Sequence, residues 1–291
     1  MVITLYLLTV FASVAQSAAA KLYGRRSQNA TAFNLIKALT ALVPFALMAI
    51  GGDLRHLPTL FWGLAYGVCQ AASMYAGYRA LCLGPMAPTS MLVSFSVVLP
   101  LLWGLTVGKE ALTVLRAVGL VFLLLAMLLI NADKLKARRQ AERPPVAGGR
   151  YGLWILFVFV TFLCNGTASI LQKQHQTCFP SAYTREFMLY AMLACAVIFL
   201  ALSLGRHPIR SLKTAREKWF GVLAGLAMGL TNFLTLTLSG LENASVLFPM
   251  ISAGTLLGAL LCGRFLFKEG LKCNHYAALT LGIAAVVLLK L

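Results

Sequence analysis

EKWFGVLAGLAMGLTNFLTLTLSGLENASVLFPMISAGTLLGALLCGRFLF, residues 217–267, holds two apolar blocks parted only by Gly240-Leu241-Glu242. A membrane-crossing helix needs about 20 consecutive apolar residues. Irregular backbone must leave the hydrocarbon or be buried in protein, so a turn this tight suits two adjacent spans. The stretch predicts a helical hairpin with arms at 217–239 and 244–267.

Outward from this hairpin, the pattern repeats along all 291 residues, of which 60% are hydrophobic. Spans are predicted at 2–21, 30–51, 59–82, 86–107, 112–131, 151–173, 183–205, 217–239, 244–267 and 272–290. The fold class this predicts is an all-α, multi-pass integral membrane protein of ten transmembrane helices. A second tight turn, Leu83-Gly84-Pro85, separates spans 3 and 4. The longest connection is the polar linker 133–150, with Lys134, Lys136, Arg138, Arg139, Pro144-Pro145 and Gly148-Gly149. It divides the chain into 1–132 and 151–291.

These two parts resemble each other. Trp62-Gly63 with Gly67 matches Phe220-Gly221 with Gly225, and Lys109-Glu110-Ala111-Leu112 matches Lys268-Glu269-Gly270-Leu271. Asn29-Ala30 entering span 2 corresponds to Ser181-Ala182 entering span 7. Five helices per half is an odd number, so the second half must enter the membrane the other way up. That is the inverted-repeat arrangement of many secondary transporters.

The formal charge of +17 would suggest nucleic acid in a soluble protein. Here the basic residues cluster in the connections 1–2, 5–6, 7–8 and 9–10, where they set orientation and meet anionic lipid headgroups. No nucleic-acid partner is expected. The positive-inside rule puts those connections in the cytoplasm and both termini outside. The N-terminal apolar block has no positive residues before it and Lys21, Arg25 and Arg26 after it, so it reads as a retained first span and not a cleaved signal. The seven cysteines form no CxxC pair, and neither a metal nor a cofactor is expected.

The residues Tyr78-Arg79-Ala80-Leu81-Cys82-Leu83-Gly84-Pro85, Gly108-Lys109-Glu110-Ala111-Leu112, Phe248-Pro249-Met250 and Phe267-Lys268-Glu269-Gly270-Leu271 carry a resemblance. In them the chain resembles the EamA-like transporters of the drug/metabolite transporter (DMT) superfamily, over essentially its whole length. The resemblance implies ten helices around a central cavity that opens alternately to either side. It departs from the small multidrug members of that superfamily in one respect: span 1 has no acidic residue.

Polar side chains inside the spans are costly unless partnered, so they should point inward. Asn165, Ser169 and Gln172 share one face of span 6 by their spacing. Span 1 offers Ser13, Gln16 and Ser17, span 3 Gln70 and Ser73, and span 4 Ser90 and Ser94. Span 8 has Thr231, Asn232 and Thr235, and span 9 has Ser252 and Thr255. They could line a cavity or hydrogen-bond helix to helix. Lys37, about 10 Å into span 2, could snorkel to the interface or attract an anionic solute. Arg79 reads as an interfacial anchor. The candidate substrate-binding set is Lys37, Gln70, Asn165, Ser169, Asn232, Thr235, Gln16 and Ser94. Glu186, a turn into span 7, is the nearest thing to an embedded carboxylate, which argues against proton-coupled export of cationic drugs. The histidines fall at loops and helix ends and suggest no relay.

The function expected is secondary, ATP-independent transport of small organic solutes such as amino acids or related metabolites, in a bacterial plasma membrane. A proton-coupled multidrug or toxic-compound exporter is the first alternative. An integral-membrane enzyme acting on lipid-linked substrates is the second; it would need a polar cluster at a membrane face, and none is legible, so the chain is expected not to be an enzyme. The partners implied are a small-molecule solute and membrane lipid, with a homodimer left open.

Overall fold

The computed structural model describes residues 2–24, 29–83, 89, 92–111, 113–139, 151–204, 215–266 and 273–290. The Gly84-Pro85 turn, Ser90, Leu112, the linker residues 140–150, His207 and the motif Phe267-Lys268-Glu269-Gly270-Leu271 lie outside the described residues.

Ten α-helices and no strand are found among the described residues. They are α1 (Val2–Gly24), α2 (Ala30–Met48), α3 (Leu57–Leu83), α4 (Val98–Thr106), α5 (Val114–Arg139), α6 (Tyr151–Cys178), α7 (Thr184–Leu204), α8 (Ala215–Ser239), α9 (Ala244–Phe265) and α10 (Cys273–Lys290). Six of these, α1, α2 and α6 to α9, are long and apolar enough to cross a membrane. Polar residues such as Gln70, Ser73 and Arg79 interrupt the apolar run of α3. Helix α5 continues through Asp133 to Arg139, into the stretch expected to be linker. Leu, Lys, Ala and Arg there are all good helix formers, and the first helix breaker is Pro144.

A 3-10 turn, Phe95–Val97, leads into α4. Pro100 explains it, since proline has no N–H for the Ser96 carbonyl and its ring crowds that carbonyl. Pro44 and Pro249 are carried inside continuous helices.

The chain forms two compact units. Unit 1 is Met1–Ala71 with Ile170–Leu241, and unit 2 is Ala72–Ser169 with Glu242–Leu291. Each draws on both halves of the sequence. The unit boundaries fall inside α3 and α6.

In unit 1, α8 packs on α1 and α2, and α2 packs on α7. Glycines set these approaches. A Cβ on Gly225 would lie 2.6 Å from the Lys37 carbonyl oxygen, and one on Gly221 2.8 Å from Ile36 Cγ2. A Cβ on Gly63 would lie 2.8 Å from Tyr190 Cβ, and one on Gly67 would overlap the Ala191 carbonyl. The Gly-xxx-Gly ridges of α3 and α8 therefore act as close-packing surfaces. Side chains facing away from these contacts are apolar and exposed, Phe11 at 72% and Val43 at 57% among them. Such faces suit lipid and not water.

In unit 2, α5 packs on α10, and α9 packs on α10, α5 and α4. The chain after α4 turns through Lys109 in the left-handed region (φ 49°), and the Glu110 N–H returns to the Gly104 carbonyl at 3.0 Å. The Glu110 carboxylate then accepts the Ala244 N–H at 2.7 Å and the Ser245 N–H at 2.8 Å. Two orphan donors at the start of α9 are thus met by a charge that also suits the positive end of the helix dipole.

Candidate functional site

In unit 1, Lys37 sits on α2 where that helix meets α7 and α8, and it is only 7% exposed. It does not snorkel into the open. It has no hydrogen-bond or ion-pair partner among the described residues, and the Cys195 thiol of α7 interacts with it electrostatically. That thiol donates to the Gly67 carbonyl at 3.2 Å, across the ridge that α3 presents.

Further along α8 lie Thr231, Asn232 and Thr235. The Thr231 hydroxyl and the Asn232 side-chain amide nitrogen are buried without a hydrogen-bond partner among the described residues. Thr235 is buried one turn beyond Thr231. From α6, the Gln172 side chain donates to the Asn232 main-chain carbonyl at 3.3 Å, and Lys173 donates to the Ser239 carbonyl at 3.0 Å. Gln16 and Gln70 are half-buried. Neither has a side-chain hydrogen bond among the described residues. Unit 1 therefore holds an ammonium and several amide and hydroxyl donors with their hydrogen-bonding capacity unspent. This is the property expected where an acceptor-bearing molecule or ordered water is to be met.

In unit 2, Asn165 of α6 donates to the Ser96 hydroxyl at 2.7 Å, so it grips the 3-10 turn before α4. Ser96 was absent from the sequence-derived set; only the break at Pro100 could have pointed to it. Ser94 lies half-buried just before the same turn. The Ser169 hydroxyl donates to the Asn165 carbonyl at 3.3 Å, within its own helix. Arg79 is held over the Phe157 ring at 5.8 Å, with its Nε buried and without a hydrogen-bond partner among the described residues.

Many hydroxyls follow the example of Ser169. Thr9, Ser17, Thr106, Thr161, Thr177 and Thr237 each donate to the carbonyl four residues back. Such back-bonding satisfies a hydroxyl without a neighbour. Two amides, with more bonds to make, reach across to other elements: Asn165 to Ser96 and Gln172 to the Asn232 carbonyl.

The histidines need correction, for two of them are linked. His56 Nδ1 lies 2.7 Å from Thr59 Oγ1, and Thr59 Oγ1 lies 3.2 Å from His175 Nε2. Nothing in the spacing of residues 56 and 175 foretells this, because the link depends on how α3 and α6 meet.

No family model and no curated relative matches the chain. A solved structure described only as "Crystal structure of protein" does match. It covers 98% of this chain and 94% of its own, with a TM-score of 0.76 and 14% sequence identity. At that identity the likeness is one of fold alone.

Proposed function

We propose that the chain is a secondary transporter of small organic solutes, working by alternating access, and a member of the EamA-like family of the DMT superfamily. The observation that carries the reading is Lys37, buried at mid-helix with no counter-ion among the described residues. An ionisable residue kept inside a membrane protein is expensive, and by default it marks a substrate or ion path. The unspent donors on Thr231 and Asn232 support a cargo that brings acceptors. A solute with a carboxylate fits both, as an amino acid or related metabolite would.

Ten spans in two inverted five-helix repeats, 1–132 and 151–291 about the 133–150 linker, belong to this reading. Exchanging the halves would turn α1 into α6, α2 into α7, and so on to α5 and α10. Under that exchange the pairs α2–α7, α4–α9 and α5–α10 map onto themselves, and all three are packed. The pair α2–α8 maps onto α7–α3, which meet at Gly63 and Gly67. The pair α1–α8 maps onto α6–α3, which meet at Gly77 and Thr161. This pattern supports a pseudo-twofold relation. A multi-pass location in a bacterial plasma membrane and the absence of enzymatic activity are part of the same proposal.

One observation favours the proton-coupled exporter instead. Glu186, in the first turn of α7, is 7% exposed and has no hydrogen-bond or ion-pair partner among the described residues. Reconstituted protein assayed with carboxylate-bearing and cationic solutes separates the two. Saturable uptake of carboxylates without ATP supports the carrier reading. Proton-driven movement of cations that is lost in Glu186→Gln would replace it with the exporter.

A further inference from the structure

Arg79 stands in the last turns of α3, within unit 2, where that helix meets the first turns of α6. The two helices come close here. A Cβ on Gly77 would lie 3.3 Å from Thr161 Cγ2, and buried Ala80 packs with Trp154, Val158, Leu83 and Phe157. The Trp154 indole N–H is spent on the Thr89 hydroxyl at 2.9 Å. This is an apolar setting for a cation.

A guanidinium stays charged and carries five N–H donors and no acceptor. Arg79 has no hydrogen-bond or ion-pair partner among the described residues, so none of its donors is used within them. The Phe157 ring, 5.8 Å from its Cζ, attracts the charge but takes no proton in the plane of the fork. Its Nε is a buried atom without a partner. The two Nη nitrogens also lack a partner yet are not among the buried atoms, so both reach the surface. Arg79 is thus closed at its Nε side and open at its end. Two parallel Nη–H groups at that end match two oxygens of one phosphate.

The depth of the guanidinium follows from α6. That helix has 28 residues and is about 42 Å long, against a hydrocarbon core of about 30 Å. Centred on the core, it projects about 6 Å at each end. Phe157 lies about 9 Å from the start of α6, so the group above it sits about 3 Å inside the hydrocarbon boundary. Tyr151 and Trp154, with rings 5.5 Å apart, lie nearer that end, as residues of an interfacial aromatic belt do. The basic connection before α6 puts this end on the cytoplasmic side, where cationic pockets between helices take anionic headgroups.

We propose that Arg79 is a phosphate-binding site, its Nη fork holding two oxygens of one phosphate group. The phosphodiester of an anionic lipid brings that group to this depth, with acyl chains that can lie along exposed Leu153 and Leu156 beside Phe157. A free phosphate offers the same oxygens from the aqueous side. Either one supplies the counter-charge that the described residues do not, and ties the end of α3 and the start of α6 to one anion. The site rests on the membrane setting and on no property of the cargo, so its failure leaves the transport assay as it stands.

The test titrates the delipidated full chain, in a neutral detergent, with phosphatidylglycerol and separately with inorganic phosphate. A ligand of the folded state raises the melting temperature in a saturable way. A rise with phosphatidylglycerol alone identifies a lipid headgroup as the source, and a rise with inorganic phosphate identifies free phosphate. Arg79→Met removes the fork and should raise the half-saturating concentration by about tenfold or more. Arg79→Lys keeps the charge without the fork and should also weaken binding, so it decides the matter if Arg79→Met does not fold. Arg55→Met removes an exposed charge elsewhere and should bind as the wild type does. No saturable rise with either compound overturns the site. So does wild-type affinity in Arg79→Met or Arg79→Lys, or an equal loss in Arg55→Met.

Discussion

Lys37 is the residue whose replacement separates packing from recognition. Methionine keeps the length of the side chain and removes the charge. Because an ammonium in the membrane interior is costly, Lys37→Met should fold at least as well as the wild type. Transport of a carboxylate solute should nevertheless fall by about tenfold or more, the factor that corresponds to about 1.4 kcal/mol of lost attraction. Initial rates in liposomes, with yield and melting temperature alongside, check both halves. Unchanged transport would mean that the ammonium serves only the packing of α2 against α7 and α8. The surroundings of Lys37 could not be read in the sequence. Its depth follows from counting along α2, whereas its burial depends on Gly225 and Cys195, which are far away in the chain.

Helices in this chain are positioned by close approach and by caps, and each makes a different prediction. Gly225→Ala adds one carbon at 2.6 Å from the Lys37 carbonyl. Backbone cannot yield as a side chain does, so the variant should lose about 1–3 kcal/mol. Gly152→Ala in α6 meets nothing within 4 Å and should be neutral or gain about 0.5–1 kcal/mol from helix propensity. Thermal unfolding in detergent compares the two, and equal effects would remove the close-packing argument. Glu110→Ala strips two charge-assisted hydrogen bonds from the start of α9 and should cost about 1–3 kcal/mol. Glu110→Gln should cost less, since its one carbonyl oxygen still accepts. A Glu110→Ala protein as stable as the wild type would show that the cap carries no weight. The Lys109-Glu110 motif was legible as a motif. Its role was not, because the donors it satisfies belong to Ala244 and Ser245.

At the scale of the molecule, the all-helical character could be read from the apolar blocks; of the ten helices among the described residues, six are long and apolar enough to cross a membrane. The boundaries were less legible at α5, where good helix formers carry the helix past the apolar stretch. The division into two compact units was not legible at all, since apolar length says nothing of partners. Orientation is a prediction of this scale. The basic residues place the α6–α7 connection outside. Cys178, exposed at the end of α6, reports on it directly. In a chain retaining only this cysteine, a membrane-impermeant maleimide should label intact cells. Labelling only after permeabilisation would turn the molecule over.

The make-up of unit 1 has a consequence for biogenesis. Helices α1 and α2 leave the ribosome first, while α7 and α8, which cover them, follow only after more than half the chain has been made. Until then, the face of α2 that carries Lys37 has no protein to lie against, and its ammonium faces lipid or the insertion machinery, at a cost of about 3 kcal/mol. The early helices must therefore wait in the membrane as unfinished surfaces. A ribosome that stalls before α7 would leave behind a fragment whose Lys37-bearing helix is still uncovered, a natural mark for membrane quality control.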